Sequence, residues 1–267
     1  MDINTVTEFA PATEATWRAG DAWLGGGTWL FSVPQPRVTR LLDLRAFGWA
    51  PVEETADGVA IAATCTLAEL ARWQPFLAGY ASAAVLARQC CHALLGSFKV
   101  HNVATVGGNI CLSLPAGPMT SFASALDATA ELRGADGAGR CLPVADLVTG
   151  DGGNALGPGE LLTRLRLRSG ALRARTAFRQ LSLSPVGRSA VLVIGRRDPG
   201  GQVVVSVTAS VPSPVVLRFP ELPSPAEAVG RLDEAALPYL DDVHGSALWR
   251  AAMTRRLVAE VLAEVAG

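Results

Sequence analysis

The chain has almost no surplus of charge: Lys+Arg 23 against Asp+Glu 24 leaves a formal net charge of −1. That excludes the basic field a nucleic-acid backbone requires, so an anionic small molecule would have to be held by local groups. Cysteines are few and irregular. Cys65, Cys90, Cys91, Cys111 and Cys141 contain no Cys-x-x-Cys pair, which argues against a disulfide framework and against a zinc or iron–sulfur site in this chain. They read as small buried apolar residues, the adjacent Cys90 and Cys91 pointing to different faces of one helix. No apolar run reaches membrane-spanning length, and Met1-Asp2-Ile3-Asn4-Thr5 has neither a basic nor an apolar leader region; the expectation is a soluble, cytoplasmic protein with no membrane span. Three histidines and two tyrosines are too few to assemble acid–base groups over a substrate, and His92, His101 and His244 stand at no spacing that points to a metal.

What the chain does have is length, apolar content and glycine. With 267 residues and 49% hydrophobic content, it can bury a sizeable core in two domains or lobes. Two glycine-rich stretches stand out, Gly25-Gly26-Gly27-Thr28-Trp29-Leu30 and Asn102-Val103-Ala104-Thr105-Val106-Gly107-Gly108-Asn109. Read as turns, both offer bare backbone amides, the means by which a pyrophosphate is bound without a cation. Two such turns suggest one dinucleotide held from both sides. Neither fits the P-loop pattern Gly-x-x-x-x-Gly-Lys-Ser/Thr or the Gly-x-Gly-x-x-Gly spacing of nicotinamide enzymes.

Around these stretches the patterning is mixed. Thr13 and Glu14 suggest a first helix, and Asp21 to Leu24 and Leu41 to Leu44 read as strands. Val59 to Ala63 follows as a strand after the turn signal Asp57-Gly58, and Thr66 with Glu69 forms a capping box opening a short helix. Ser82 to Leu95 reads as a helix; the chain is then irregular through the second glycine stretch, and Ser121 to Ala128 is helical again. Strands are expected at 130–133, 140–144 and 160–167, the last alternating leucine with polar residues and so having one wet face. Past Ser169-Gly170 the strands Ala190–Ile194 and Val203–Thr208 flank Asp198-Pro199-Gly200-Gly201, a hairpin signal. A last helix spans about Ala247 to Val265.

The run Asn102 to Ile110, followed by Pro115-Ala116-Gly117 and Ala125-Leu126-Asp127-Ala128, resembles the signature of the FAD-binding subunit of the xanthine dehydrogenase and carbon monoxide dehydrogenase (molybdenum hydroxylase) family. Gly26-Gly27-Thr28 with Leu30, Pro158-Gly159-Glu160-Leu161-Leu162, and Asp242-Val243-His244-Gly245-Ser246-Ala247-Leu248-Trp249-Arg250 are similar to further motifs of that family, in the family's order. The resemblance implies an α+β fold: a two-lobed FAD-binding domain of the PCMH type, with lobes at 1–52 and 53–169, then a smaller α+β C-terminal domain at 170–267 with an antiparallel sheet. It implies FAD in this chain, and partner subunits carrying a molybdenum–pterin cofactor and two [2Fe–2S] clusters. Electrons from substrate hydroxylation at molybdenum would reach this FAD and leave to NAD, oxygen or a quinone. It also implies that Gly25, Gly26, Gly27, Thr28 and Trp29 cradle the FAD pyrophosphate, that Thr105, Val106, Gly107, Gly108 and Asn109 bind it from the other lobe, and that Arg179 lies near the flavin; no residue is implied to be catalytic.

Three positions depart from the family pattern. Pro118 stands where an aspartate usually contacts the cofactor, Trp29 replaces a small polar or acidic residue, and His101 replaces an arginine. Trp29 could stack on the cofactor or fill space against a partner subunit. Two alternatives stay open at this point: a self-sufficient FAD-dependent oxidase or dehydrogenase, and a scaffold subunit with lost or weakened FAD binding.

Overall fold

A computed structural model describes residues 3–267. Three short strands, β1 (Glu8–Pro11), β2 (Asp21–Leu24) and β3 (Arg40–Asp43), make a parallel sheet in the order β1-β3-β2. The helix expected at Thr13 does not form. Between the pairing of Pro11 with Asp43 and the turn at Gly20 too few residues remain to repay helix nucleation, and the chain makes a turn in which the Glu14 N–H donates to the Pro11 carbonyl instead.

The chain continues through β4 (Val52–Thr55), β5 (Gly58–Ala62), α1 (Leu67–Ala71), α2 (Ala81–Ala93), α3 (Phe98–His101), α4 (Val106–Cys111) and α5 (Pro118–Ala125). It then forms β6 (Thr129–Arg133), β7 (Gly139–Pro143), α6 (Val144–Leu147), the small pair β8 (Val148–Gly150) and β9 (Gly153–Asn154), and the long strand β10 (Leu161–Arg168). β4, β5, β10, β6 and β7 lie in that order in an antiparallel sheet. The Thr66–Glu69 capping box at the start of α1 is present in both directions. Along β10, Leu165 and Leu167 are buried while Arg166 and Arg168 are exposed, the one wet face that the alternation implied.

After α7 (Ser169–Leu172), the strands β11 (Arg175–Leu181), β12 (Val191–Arg197), β13 (Val203–Thr208) and β14 (Val215–Phe219) form a four-stranded antiparallel meander, and α8 (Pro225–Glu234) and α9 (Ala247–Ala266) follow. The β12–β13 hairpin turns at Asp198 to Gly201, where Gly201 takes φ +91. All of β13 and nearly all of β12 are buried, because the sheet is covered on both faces. Leu192 and Ile194 join the core built on α2 and α5, whereas Val191 and Val193 join that of α9. That two-sided cover is why the hairpin reads as continuous apolar runs rather than alternating ones.

Polar contacts tie the meander to the preceding layer. The Ala209 N–H donates to the Pro115 carbonyl at 2.9 Å, and the Ser121 and Thr208 hydroxyls lie 2.7 Å apart. Arg196, itself buried, donates to the Ala125 carbonyl and to Asp127, and Arg218 donates to the same Asp127. Burial pushes the Asp127 carboxyl up, but Arg218 and Arg196 outweigh it and hold the group below the ordinary aspartate value.

Candidate functional site

The first glycine stretch leaves a strand whose direction is pinned. Asp21, at the start of β2, accepts from Arg40 at 2.8 and 2.6 Å and from the Arg18 backbone N–H, while Arg40 also reaches the Thr16 carbonyl. These hydrogen bonds, that from Arg40 foremost, hold the Asp21 carboxyl below its ordinary value against the opposing effect of burial. β2 then ends at the buried Leu24, and the chain turns through Gly27 at φ +71. The N–H groups of Gly26, Gly27, Thr28 and Trp29 donate to no group of the described residues. They form a strip of uncommitted donors.

Gly26 is also where the two glycine stretches touch. A Cβ added there would lie 1.6 Å from the Val103 carbonyl oxygen, and one on Gly25 would lie 2.9 Å from the Thr105 Oγ1. Only a residue without a side chain lets the backbones approach so closely.

The second stretch differs from the expected irregular turn. Thr105 caps α4, so that Val106 to Cys111 are helical and both glycines lie inside the helix. Its first N–H groups are already spent: Val106 on the Cys65 carbonyl, Gly107 on the Ala63 carbonyl, Gly108 on the Thr105 hydroxyl and Asn109 on the Thr105 carbonyl. Gly107 is there for packing, since a Cβ on it would stand 2.5 Å from that of Ala63. What this side offers a ligand is side chains. The Thr105 hydroxyl accepts from Gly108 and keeps its own proton to donate. Asn109 spends its Oδ1 on the Met119 N–H at 2.9 Å, which orients the amide and leaves its Nδ2 donors uncommitted.

Both stretches line one cleft of about 410 Å³. Gly25, Gly26, Gly27, Thr28, Trp29 and Leu30 form one wall, and Thr105, Gly108 and Asn109 face it. Leu94, Leu95, Leu112 and Leu114 supply apolar surface, and Arg188 supplies the one charged side chain of the lining. Val106 and Gly107 are buried behind that wall and do not line it.

Arg179 lies elsewhere. In β11 its neighbour Phe178 packs into the core of α2 and α5, so the strand's two-residue period sends Arg179 to the opposite face. There it meets Glu260 at 3.2 Å and Glu264 at 2.7 Å on α9, and it is not part of the cleft lining. Arg188, on the connection between β11 and β12, belongs to no motif; only the folding back of the meander brings it to the cleft.

The departures also find their places. Pro118 is buried as the first residue of α5, where a missing N–H costs nothing, and it does not line the cleft. Trp29 lines the cleft while remaining 45% exposed. The His101 Nε2 sits 3.2 Å from the Leu94 carbonyl oxygen. Burial pushes the Cys91 and Cys111 thiols up to about 12, so neither supplies a thiolate at neutral pH. Among the described residues no His, Cys, Asp or Glu side chains group as metal ligands would, and no helix is long and apolar enough to cross a membrane.

Residues 4–167 match the family described as the FAD binding domain in molybdopterin dehydrogenase. No curated protein matches the chain. Among solved structures, the fold resembles that of quinoline 2-oxidoreductase from Pseudomonas putida 86, at TM-score 0.79 and 17% identity over 98% of this chain and 96% of that one. It also resembles reconstituted CO dehydrogenase from Oligotropha carboxidovorans, at TM-score 0.80 and 21% identity over 97% of each chain. Carbon monoxide dehydrogenase from Hydrogenophaga pseudoflava lacking the Mo-pyranopterin moiety matches at TM-score 0.76 and 20% identity, over 97% of this chain and 96% of that one.

Proposed function

Because this chain belongs to the FAD-binding family of molybdopterin dehydrogenases, we propose that it is the flavin-carrying electron-transfer subunit of a molybdenum hydroxylase complex, an oxidoreductase assembled with a molybdenum–pterin subunit and an iron–sulfur subunit. On this reading residues 1–52 and 53–169 are the two lobes that share the cofactor, and 170–267 is a domain packed beside them. When bound, FAD supplies two-electron acceptance and release, to NAD, oxygen or a quinone.

The observation that carries the reading is the single cleft with complementary walls. The N–H groups of Gly26 to Trp29 line the wall opposite the Thr105 hydroxyl proton and the Asn109 Nδ2, donors that no described residue takes, which suits a diphosphate. Leu94, Leu95, Leu112 and Leu114 give the apolar surface that flat rings need. The chain's own residues therefore bind and orient the cofactor. The described site offers no acid–base group to work on an organic substrate, and the chemistry on the substrate belongs to a partner.

The test is spectroscopic. Protein purified with the products of its neighbouring genes should release FAD on denaturation, and its flavin absorbance should bleach with the complex's organic substrate only when the molybdenum and iron–sulfur subunits are present. Bleaching of the isolated chain would point to a self-sufficient enzyme; a fully active complex that releases no flavin would leave this chain a scaffold.

A further inference from the structure

We infer that Arg188 is the diphosphate clamp of the cleft: a cation reaching in from the C-terminal sheet whose acceptor is the bridging diphosphate of the bound dinucleotide. The inference rests on the FAD reading and adds a residue to the site that neither the glycine stretches nor the family signature includes.

Charge balance is the first argument. A diphosphate diester brings two negative charges, yet every other group lining the cleft is neutral: backbone N–H groups, two threonines, an asparagine, two tryptophans and aliphatic side chains. Arg188 is the one charged side chain there. Desolvating two charges against neutral donors alone costs more than doing so with a cation in the same cleft, and a guanidinium presents paired donors in the geometry of phosphate oxygens.

Its lack of other employment is the second argument. Other arginines of the meander and of α9 are committed: Arg179 to Glu260 and Glu264, Arg196 to Asp127 and Asp198, and Arg250 to Asp242. Half-buried Arg188 makes no hydrogen bond or ion pair with any described residue.

Third, the fold holds the segment in place. The Ala190 N–H donates to the Leu181 carbonyl at 2.8 Å, closing the connection between β11 and β12 at its base, and the buried Arg250 donates to the Ala190 carbonyl at 3.0 Å. Within the connection the Ser182 hydroxyl donates to the Ser184 carbonyl, and a Cβ on Gly187 would meet the Ser184 Oγ at 2.8 Å, so the turn is tightly folded on itself. Arg188 is thus presented on a braced segment, and cofactor binding would pin the C-terminal sheet to both glycine stretches.

The experiment measures binding by the full-length, flavin-stripped chain. Dissociation constants for FAD, ADP and riboflavin are compared between the unaltered protein, Arg188→Gln and Arg188→Lys at low and high salt. Loss of a charge-assisted pair of hydrogen bonds should weaken FAD and ADP by about ten-fold or more in Arg188→Gln, leave riboflavin within about two-fold, and flatten the salt dependence. Arg188→Lys should recover part of the loss. An Arg188→Gln protein that binds FAD and ADP within about two-fold of the original overturns the clamp, as does a riboflavin loss equal to that of ADP, which would place the guanidinium on the ring system. Failure of the unaltered chain to bind FAD or riboflavin at all would instead sink the parent reading.

Discussion

The closest approach in the cleft makes Gly26→Ala a sharp test of how the site is built. A Cβ at Gly26 would lie 1.6 Å from the Val103 oxygen, 2.5 Å from its carbonyl carbon and 3.1 Å from the Ala104 nitrogen. All three are backbone atoms, so no side chain can swing aside, and the two segments must part by roughly 1.5 Å to restore van der Waals contact. Overpacking of this kind costs about 1–3 kcal/mol in the free protein. The effect on binding is larger, because the same shift moves the Gly26 to Trp29 donors away from Thr105 and Asn109. Misaligning one or two hydrogen bonds to a charged acceptor, each worth about 1.5–3 kcal/mol, predicts a loss of about 2–4 kcal/mol, or about 30- to 1000-fold in the dissociation constant for FAD. The assay is titration of the flavin-stripped chain by fluorescence, with a thermal melt of the ligand-free protein to separate misalignment from unfolding. Gly170→Ala, with nothing within 4 Å of its added methyl, is the control and should bind normally. If Gly26→Ala stays folded and holds FAD within about three-fold of the original, the idea that the two stretches must touch to form the site is wrong.

Arg250→Met should destabilise the protein by about 3–5 kcal/mol in urea unfolding, because the buried guanidinium donates to the Gly245, Ala190 and Ala209 carbonyls and to Asp242, and its removal strands carbonyls that water cannot reach. A loss under about 1 kcal/mol would mean the network is dispensable. Acid should erode stability in a defined way. Asp21 is held below the ordinary value of 3.8 chiefly by Arg40, so its contribution is complete above that value and disappears as pH falls through the lowered one. The melting temperature should therefore drop as pH falls below about 3.8 and through the lowered value, and Asp21→Asn, already lacking the contribution at neutral pH, should show a shallower acid limb. Parallel acid limbs for the two proteins would remove Asp21 from the account.

Much of the architecture was legible because local rules and tertiary context agree. The capping box at Thr66 and Glu69, the alternating leucines of 161–167, the turn at Asp198 to Gly201 and the long C-terminal helix all appear where patterning put them. Agreement failed where long-range pairing overrode local preference. Glu8 to Pro11 carries no strand pattern of its own; it is a strand because Arg40 to Asp43 lies beside it. The second glycine stretch looked like an open turn because two adjacent glycines weaken a helix, yet Thr105 caps it and the closeness of Ala63 demands Gly107. β14 and α8 were also missed. The proline-rich composition of 212–225 masked a strand that needs its partner β13 and a helix that starts at Pro225 behind a Ser224 cap.

By itself the sequence determined which backbone could come close: glycines at 25, 26, 27 and 107, a hydroxyl at 105 and an amide at 109, with the apolar patterning to bury a core behind them. Those are chemical identities, and no fold can alter them. Tertiary structure alone decided which donors remain free. Helix α4 consumed its own N–H groups, while the first glycine stretch kept those of Gly26 to Trp29. It likewise decided which arginine faces the cleft, because strand parity turned Arg179 toward the glutamates of α9 whereas the return of the β11–β12 connection carried Arg188 to the cleft. Donor availability and side-chain direction depend on what else the fold has already satisfied, and that is a property of the packed whole.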